Sequence, residues 1–351
     1  MSVLFTPLTL RSVTFKHRVF MSPMCQYSAT DGVPNDWHRI HLASRAVGGA
    51  ALVFFEATAV TPEGRISDGD LGLWDDRQIP AYRDLVTLLK QHGAVPGLQL
   101  AHAGRKGSTA VPWQGGAALP AGQGWTPLAP SAIAFGKLTH PRSMNEQDLK
   151  EVRLAFVNSA QRALAAGFEV LELHAAHGYL LHEFLSPLSN QRQDAWGGDL
   201  AHRMRYPLSV VEAVRAVWPE HLPLFVRLSA TDWAEGGWDL DQSIAFAREL
   251  KTRGVDFIDC SSGGLVPHAS IPATPGYQVG FAQSIRKAAA VATGAVGLIT
   301  EATQAQAIIA EGQADAVLLA RALLRSPYWV RDAARALGCP LPWPDPYARA
   351  G

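Results

Sequence analysis

Eight short apolar or β-branched runs recur along the chain, at 18–24, 51–60, 95–102, 169–177, 223–230, 257–264, 295–300 and 316–321, with stretches of helical spacing between them. Most are apolar almost throughout rather than strictly alternating, which is what a parallel strand requires when helices cover its outer face. The helical stretches run 36–47, 79–91, 145–166, 202–217, 241–253, 283–292, 303–311 and 322–337. Gly93, Gly167, Gly254, Gly294 and Gly312 stand just beyond several of them, as C-terminal caps should. Strand then helix, eight times over, predicts the α/β class: a (β/α)8 barrel closed by right-handed crossovers into one domain over residues 1–351.

At 351 residues the chain could hold one large barrel or two ordinary domains, and no linker divides it. With 48% apolar and 18% charged residues it can bury a large core. Lys plus Arg and Asp plus Glu each number 31, so no basic field draws a nucleic acid or an acidic membrane surface. The three cysteines, Cys25, Cys260 and Cys339, are far apart and lack CxxC spacing. That argues against a disulfide framework, an iron–sulfur domain or a structural zinc, and fits a reducing cytoplasm. The N-terminus does not read as a secretory leader, and no apolar run approaches the roughly 20 residues of a membrane span.

Two features point to a site. Residues 103–142, rich in Gly, Pro and Trp, form a long connection after the third strand; in a compact domain such a segment is usually a lid or binding loop. It emerges at the C-terminal face of the barrel, where the ends of all the strands meet. Cys25, Ala57, Thr58, Gln99, His102, His174, His177, Arg227 and Arg321 should therefore share one mouth. Within ELHAAHGYLLHEF (172–184), His174, His177, Tyr179 and His182 crowd together, which suits either a divalent metal or a set of donors for a carbonyl oxygen. The metal reading would make the chain a barrel hydrolase using His174 and His177. Against it, Glu172 and Glu183 are the only nearby carboxylates, and alternation is expected to face them elsewhere. Arg227 lies inside the apolar run PLFVRLSA, where an unpaired charge is costly, so a bound anionic partner is expected.

SPMCQYSATDGVPNDWH, EATAVTPEGRISDGDLGLW, QLAHAGRKG, ELHAAHGYLLHEFLSPLSNQRQDAWGG and LLARALLRSP together resemble the Old Yellow Enzyme flavoproteins, most closely the YqjM-like and xenobiotic reductase branch, over essentially the whole chain. The resemblance implies an NADPH dehydrogenase of the ene-reductase type: FMN held noncovalently, hydride taken from NADPH and passed to the β-carbon of an activated alkene such as an enone. It implies a phosphate site at Gly297, Leu298, Ala320 and Arg321, with Ala320 standing where the family usually has glycine. Gln99 and Arg227 would meet the pyrimidine edge of the flavin, and Ser22, Pro23, Met24 and Ala57 would contact the ring. Cys25 would sit beside the ring and adjust its potential, although a free cysteine by itself reads as an inert core residue. His174 and His177 would grip the substrate oxygen. Tyr179 would protonate the α-carbon, giving trans addition of H2. Tyr27 and Lys106 would shape the substrate end. His182, by its own position, reads as a helix-face or packing residue. The tail, 340–351, resembles one in which an arginine enters a neighbouring subunit's site. Arg349 is the candidate, with Tyr347 packing beside it, in a homodimer or homotetramer. A barrel that binds FMN or a phosphorylated ligand without turnover is the remaining alternative.

Overall fold

The computed structural model describes residues 2–350. Eight parallel strands close into a barrel: β1 (Val19–Met21), β2 (Leu52–Ala59), β3 (Val95–Ala101), β4 (Val170–Ala175), β5 (Leu224–Ser229), β6 (Phe257–Ser261), β7 (Ala292–Ala295) and β8 (Ala316–Leu319). Each pairs with its neighbours in chain order, and β8 returns to β1. Every strand residue except Val95 and Ala292 is buried, the consequence of helices outside and side chains inside.

The floor of the barrel is aromatic. Phe225 and Phe257 stack at 4.4 Å, Phe54 meets Phe225 edge-on at 6.1 Å, and Phe20 lies 6.1 Å from Phe257. A fifth ring, Phe15, 4.7 Å from Phe20, comes from an N-terminal hairpin pairing Leu8–Leu10 with Val13–Phe15. Unlike β1, which sits in a longer apolar run, the two hairpin strands alternate covered and exposed residues over only three positions, too short a pattern to stand out in the sequence. Each buried phenyl contributes about 1.5–3 kcal/mol.

Above the floor, register decides which side chains share the interior. Gln99 is level with Glu172, His174 with Arg227, and Arg227 with Asp259. Glu172 lies two residues before His174 on one strand and therefore on the same face. The expectation that it faces elsewhere is corrected: it points into the barrel and is fully buried.

Three boundaries also differ from the sequence reading. The seventh strand is Ala292–Ala295, not 295–300, and the helix before it is Val279–Ala289 rather than 283–292. Gly294 is therefore a strand residue, not a helix cap. A Cβ there would come within 2.2 Å of Leu318 and 2.8 Å of the Phe257 ring, so its neighbours already occupy the space that an apolar side chain would fill. A strand made of small residues has no apolar signature, whereas the loop after it is more apolar, so the sequence pattern points to the loop. The last helical stretch splits into Arg321–Arg325 and Trp329–Ala336 at Ser326 and Pro327, because proline disfavours a helical residue before it and has no N–H to continue the ladder. Finally, a short helix, Leu180–Leu185, follows β4 directly.

Candidate active site

The turn after β4 carries the centre of the site. The Nδ1 of His174 accepts the Ala176 N–H at 3.3 Å, which leaves its proton on Nε2 as a free donor. His177 adopts a left-handed backbone, φ 59°, a conformation that costs a residue with a side chain about 1–2 kcal/mol. Its surroundings hold it there. The His177 N–H donates to Ser229 Oγ at 2.9 Å, its carbonyl accepts from Lys106 Nζ at 2.8 Å, and its Nε2 lies 2.6 Å from Ser261 Oγ. Lys106 also donates to the Gly264 carbonyl at 2.7 Å, tying this turn to the loop after β6. When the Ser261 hydroxyl donates to Nε2, the proton of His177 sits on Nδ1.

His174 meets His177 edge-on at 5.1 Å and Tyr179 edge-on at 4.9 Å. Burial, and then the Arg227 charge, hold both imidazoles well below their ordinary pKa, so both are neutral donors. Burial, and then Cys25 and Tyr27, push the Tyr179 phenol upward, so it keeps its proton. His182 does not join this group. Its Nδ1 accepts the Gly178 N–H at 2.9 Å and its Nε2 lies 2.9 Å from Asp232 Oδ1, both side chains being fully buried. The three imidazoles thus do not converge, and no cluster of three or more His, Cys, Asp or Glu among the described residues is arranged to hold a metal ion.

Arg227 is not the lone charge expected from its strand, because Asp259 on the next strand comes within 3.1 Å of its Nε. That contact is too oblique for a hydrogen bond, and the buried Nε has no other partner. Gln99 spends its Nε2 on Glu172 at 2.8 Å, keeping its carbonyl oxygen free.

The loop after β1 supplies the opposite wall. Ser22 N–H bonds to Leu319 O at 3.0 Å, while its buried Oγ has no partner. Pro23 is buried, and Met24, Cys25 and Tyr27 are half-buried. The register slips between Phe55 and Ala57 on β2, and the bulge turns Glu56 beneath this loop, where burial raises its carboxyl well above the usual range. Burial, and then Asp70 and Glu56, raise the Cys25 thiol, which lies beside Tyr27 and the Ala57 backbone. It is a neutral thiol rather than a thiolate.

Between the ends of β7 and β8 lies a hollow of about 200 Å³, lined by the 296–300 loop, Ala320, Arg321 and Arg325. Gly297 and Leu298 are both left-handed, φ 114° and 51°, and a Cβ on Gly297 would strike Gln278 at 2.8 Å. Arg321 is exposed and has no hydrogen-bond or ion-pair partner among the described residues. A backbone-lined hollow beside a free guanidinium suits a phosphate. Together with the unpartnered Ser22 Oγ and the Arg227 guanidinium, these donors fit a phosphorylated, acceptor-rich planar group such as FMN.

A larger cavity, about 550 Å³, opens beside this region, lined by Tyr27, Lys106, Phe135, Lys137, Tyr179 and His268 among others. The 103–142 insertion supplies one wall of it. Trp113 stands edge-on to Tyr27 at 6.2 Å, whereas Trp125 turns aside to donate to Glu63 O at 2.8 Å. The tail lies elsewhere: Ala348 shares a separate hollow with Arg331 and Trp343, and Tyr347 and Arg349 are exposed. The sequence reading missed Ser229, Ser261 and Asp259 as parts of this site. Their signal was positional, since each lies at or near the end of a barrel strand.

A model of the NADH:flavin oxidoreductase / NADH oxidase family matches residues 3–338. An NADPH dehydrogenase of Geobacillus sp. (strain WCH70) is 49% identical over 340 residues, covering 96% of this chain and 95% of the relative. One from Listeria monocytogenes serotype 4b (strain CLIP80459) is 48% identical over 353 residues, covering 100% and 99%. Among solved structures, morphinone reductase in complex with tetrahydroNAD superposes with a TM-score of 0.79 at 30% identity, covering 98% of this chain and 93% of that one.

Proposed function

The chain belongs to the NADH:flavin oxidoreductase / NADH oxidase family, the Old Yellow Enzyme family, and from that premise we propose that it is an NADPH dehydrogenase that reduces activated alkenes. FMN, when bound, supplies the hydride, having taken it from NADPH. The Gly297, Leu298 and Arg321 hollow would hold its phosphate. Arg227, Gln99 and Ser22 would hold its polar ring edge, with Pro23, Met24, Cys25 and Ala57 against the ring.

The observation that carries the reading is His174 packed edge-on against both His177 and Tyr179, with burial favouring neutral imidazoles and a protonated phenol. His174 Nε2–H and His177 Nδ1–H offer two donors to one substrate oxygen and favour the enolate that develops there. Ser261 sets the His177 tautomer, and Lys106 and Ser229 keep its ring in place. Tyr179 gives its proton to the α-carbon, a general-acid role resting on reach. Tyr27 and Lys106 line the cavity that receives the alkene, and the 103–142 insertion acts as its lid. Arg349, exposed in its own subunit, would complete a neighbour's site in a homodimer or homotetramer, with Tyr347 packed beside it. The balanced charge and three unpaired cysteines support a cytoplasmic location.

The test is anaerobic rapid mixing of Tyr179→Phe. Alkene reduction by the NADPH-reduced enzyme should slow by about 10²–10⁴-fold, while flavin reduction is little changed. Equal slowing of both steps refutes the assignment. A yellow protein that never oxidises NADPH in the presence of cyclohexenone would instead be a binding barrel.

A further inference from the structure

Directly above the phenyl floor, the barrel buries two carboxyl groups against one guanidinium. Glu172 on β4 and Asp259 on β6 are fully buried, and Arg227 on β5 is nearly so. Asp259 Oδ2 lies 3.1 Å from Arg227 Nε, whereas Glu172 is held by Gln99 Nε2 at 2.8 Å and by no cation. Glu172 Oε2 and both Asp259 oxygens make no hydrogen bond with the described residues. His174, level with Arg227, is neutral and adds no charge.

Two ionised carboxylates here would leave one negative charge buried without a partner, the arrangement proteins avoid by taking up a proton. We propose that Glu172 and Asp259 share one proton, so that the pair carries a single negative charge that balances Arg227, and that this balance sets how positive Arg227 looks to a flavin at the mouth. Burial, reinforced for Glu172 by the Asp259 charge, raises both carboxyls above their usual range. Their titration belongs to the pair, with the charge resting mainly on Asp259 because it touches the guanidinium. The inference rests on the flavoenzyme reading. It names Asp259, which no motif marks, as a residue tuning the potential through Arg227.

The test compares the FMN-loaded wild type, Glu172→Gln, and the double variant Glu172→Gln with Asp259→Asn. Midpoint potentials are measured at neutral pH by anaerobic spectroelectrochemistry. Glu172→Gln should match the wild type, since it replaces a neutral group with a neutral one. The double variant removes the only balancing charge and should favour reduced over oxidised flavin at least tenfold, about 30 mV for a two-electron couple. An unchanged potential in the double variant overturns the proposal. So does an equal rise in Glu172→Gln alone, which would mean that both carboxyls were ionised. Infrared spectra read the proton directly, whether or not the double variant folds. The wild-type minus Glu172→Gln difference spectrum should contain one carboxylic acid stretch that shifts in D2O, and its absence counts against a shared proton, the other raised carboxyls, Glu56 and Glu183, cancelling in the difference. Because that band does not depend on flavin, a protein that refuses FMN yet shows the band refutes the flavoenzyme reading and leaves the shared proton standing.

Discussion

Asp232→Ala removes the acceptor that holds the back of the turn after β4. In the folded protein Asp232 Oδ1 lies 2.9 Å from His182 Nε2, and Oδ2 accepts the Ser186 hydroxyl at 2.6 Å and the Trp238 N–H at 2.8 Å. Asp232 and His182 are fully buried, so water cannot replace what the substitution deletes. Each donor left unpaired costs about 1–3 kcal/mol, so losing the acceptor of the Ser186 hydroxyl and the Trp238 N–H costs about 3–5 kcal/mol in all. Against a total stability of about 5–15 kcal/mol, that is a large share. Urea unfolding of the apoprotein at neutral pH should show the midpoint falling at nearly constant slope, for a loss of about 3–5 kcal/mol. The pH dependence has a definite sign. Burial pushes the Asp232 carboxyl up, but His182, Ser186 and the Trp238 N–H outweigh it and hold it below the usual range. Its contribution is therefore present above the unfolded value, about 3.9, and is lost as pH falls through the lower folded value. The gap between wild type and variant should persist down to about pH 4 and close below it. A loss under about 1 kcal/mol at neutral pH would refute the view that Asp232 anchors this turn through Ser186 and Trp238.

Two further outcomes follow from the site. Arg321→Gln should weaken FMN binding about 10–100-fold, the worth of one charged hydrogen bond, as read by flavin released on dilution and filtration; unchanged retention would move the phosphate away from the β7–β8 hollow. Because burial holds His174 and His177 well below their ordinary range, alkene reduction should show no limb near pH 6.5, and histidine NMR should find both rings still uncharged as pH falls through 6.5. The unfolded chain binds those protons below about 6.5 and the folded one does not, so stability falls as pH drops through that range.

The barrel was legible because parallel strands buried on both faces leave apolar runs, and seven of the eight fell where the runs predicted. The seventh did not, because Ala292–Ala295 achieves its burial with small residues against Phe257 and Leu318. The motif carrying His174, His177 and Tyr179 was legible as well, since three polar rings at the end of a strand are costly without a task. His182 was read as packing, and it is buried as expected; its bond to the Gly178 N–H gives that packing a specific role.

What the sequence determined by itself was the class of architecture, the mouth toward which the strand ends point, and the residue types gathered there, because these depend on local pattern and chain direction. What only the tertiary structure decided was partnership across strands: Arg227 with Asp259, Gln99 with Glu172, and His177 with Ser261 and Ser229. Those pairs join residues about 30 to 85 positions apart. Barrel register brings them level, and no local pattern in the chain encodes register, because it is fixed only when the strands close on one another.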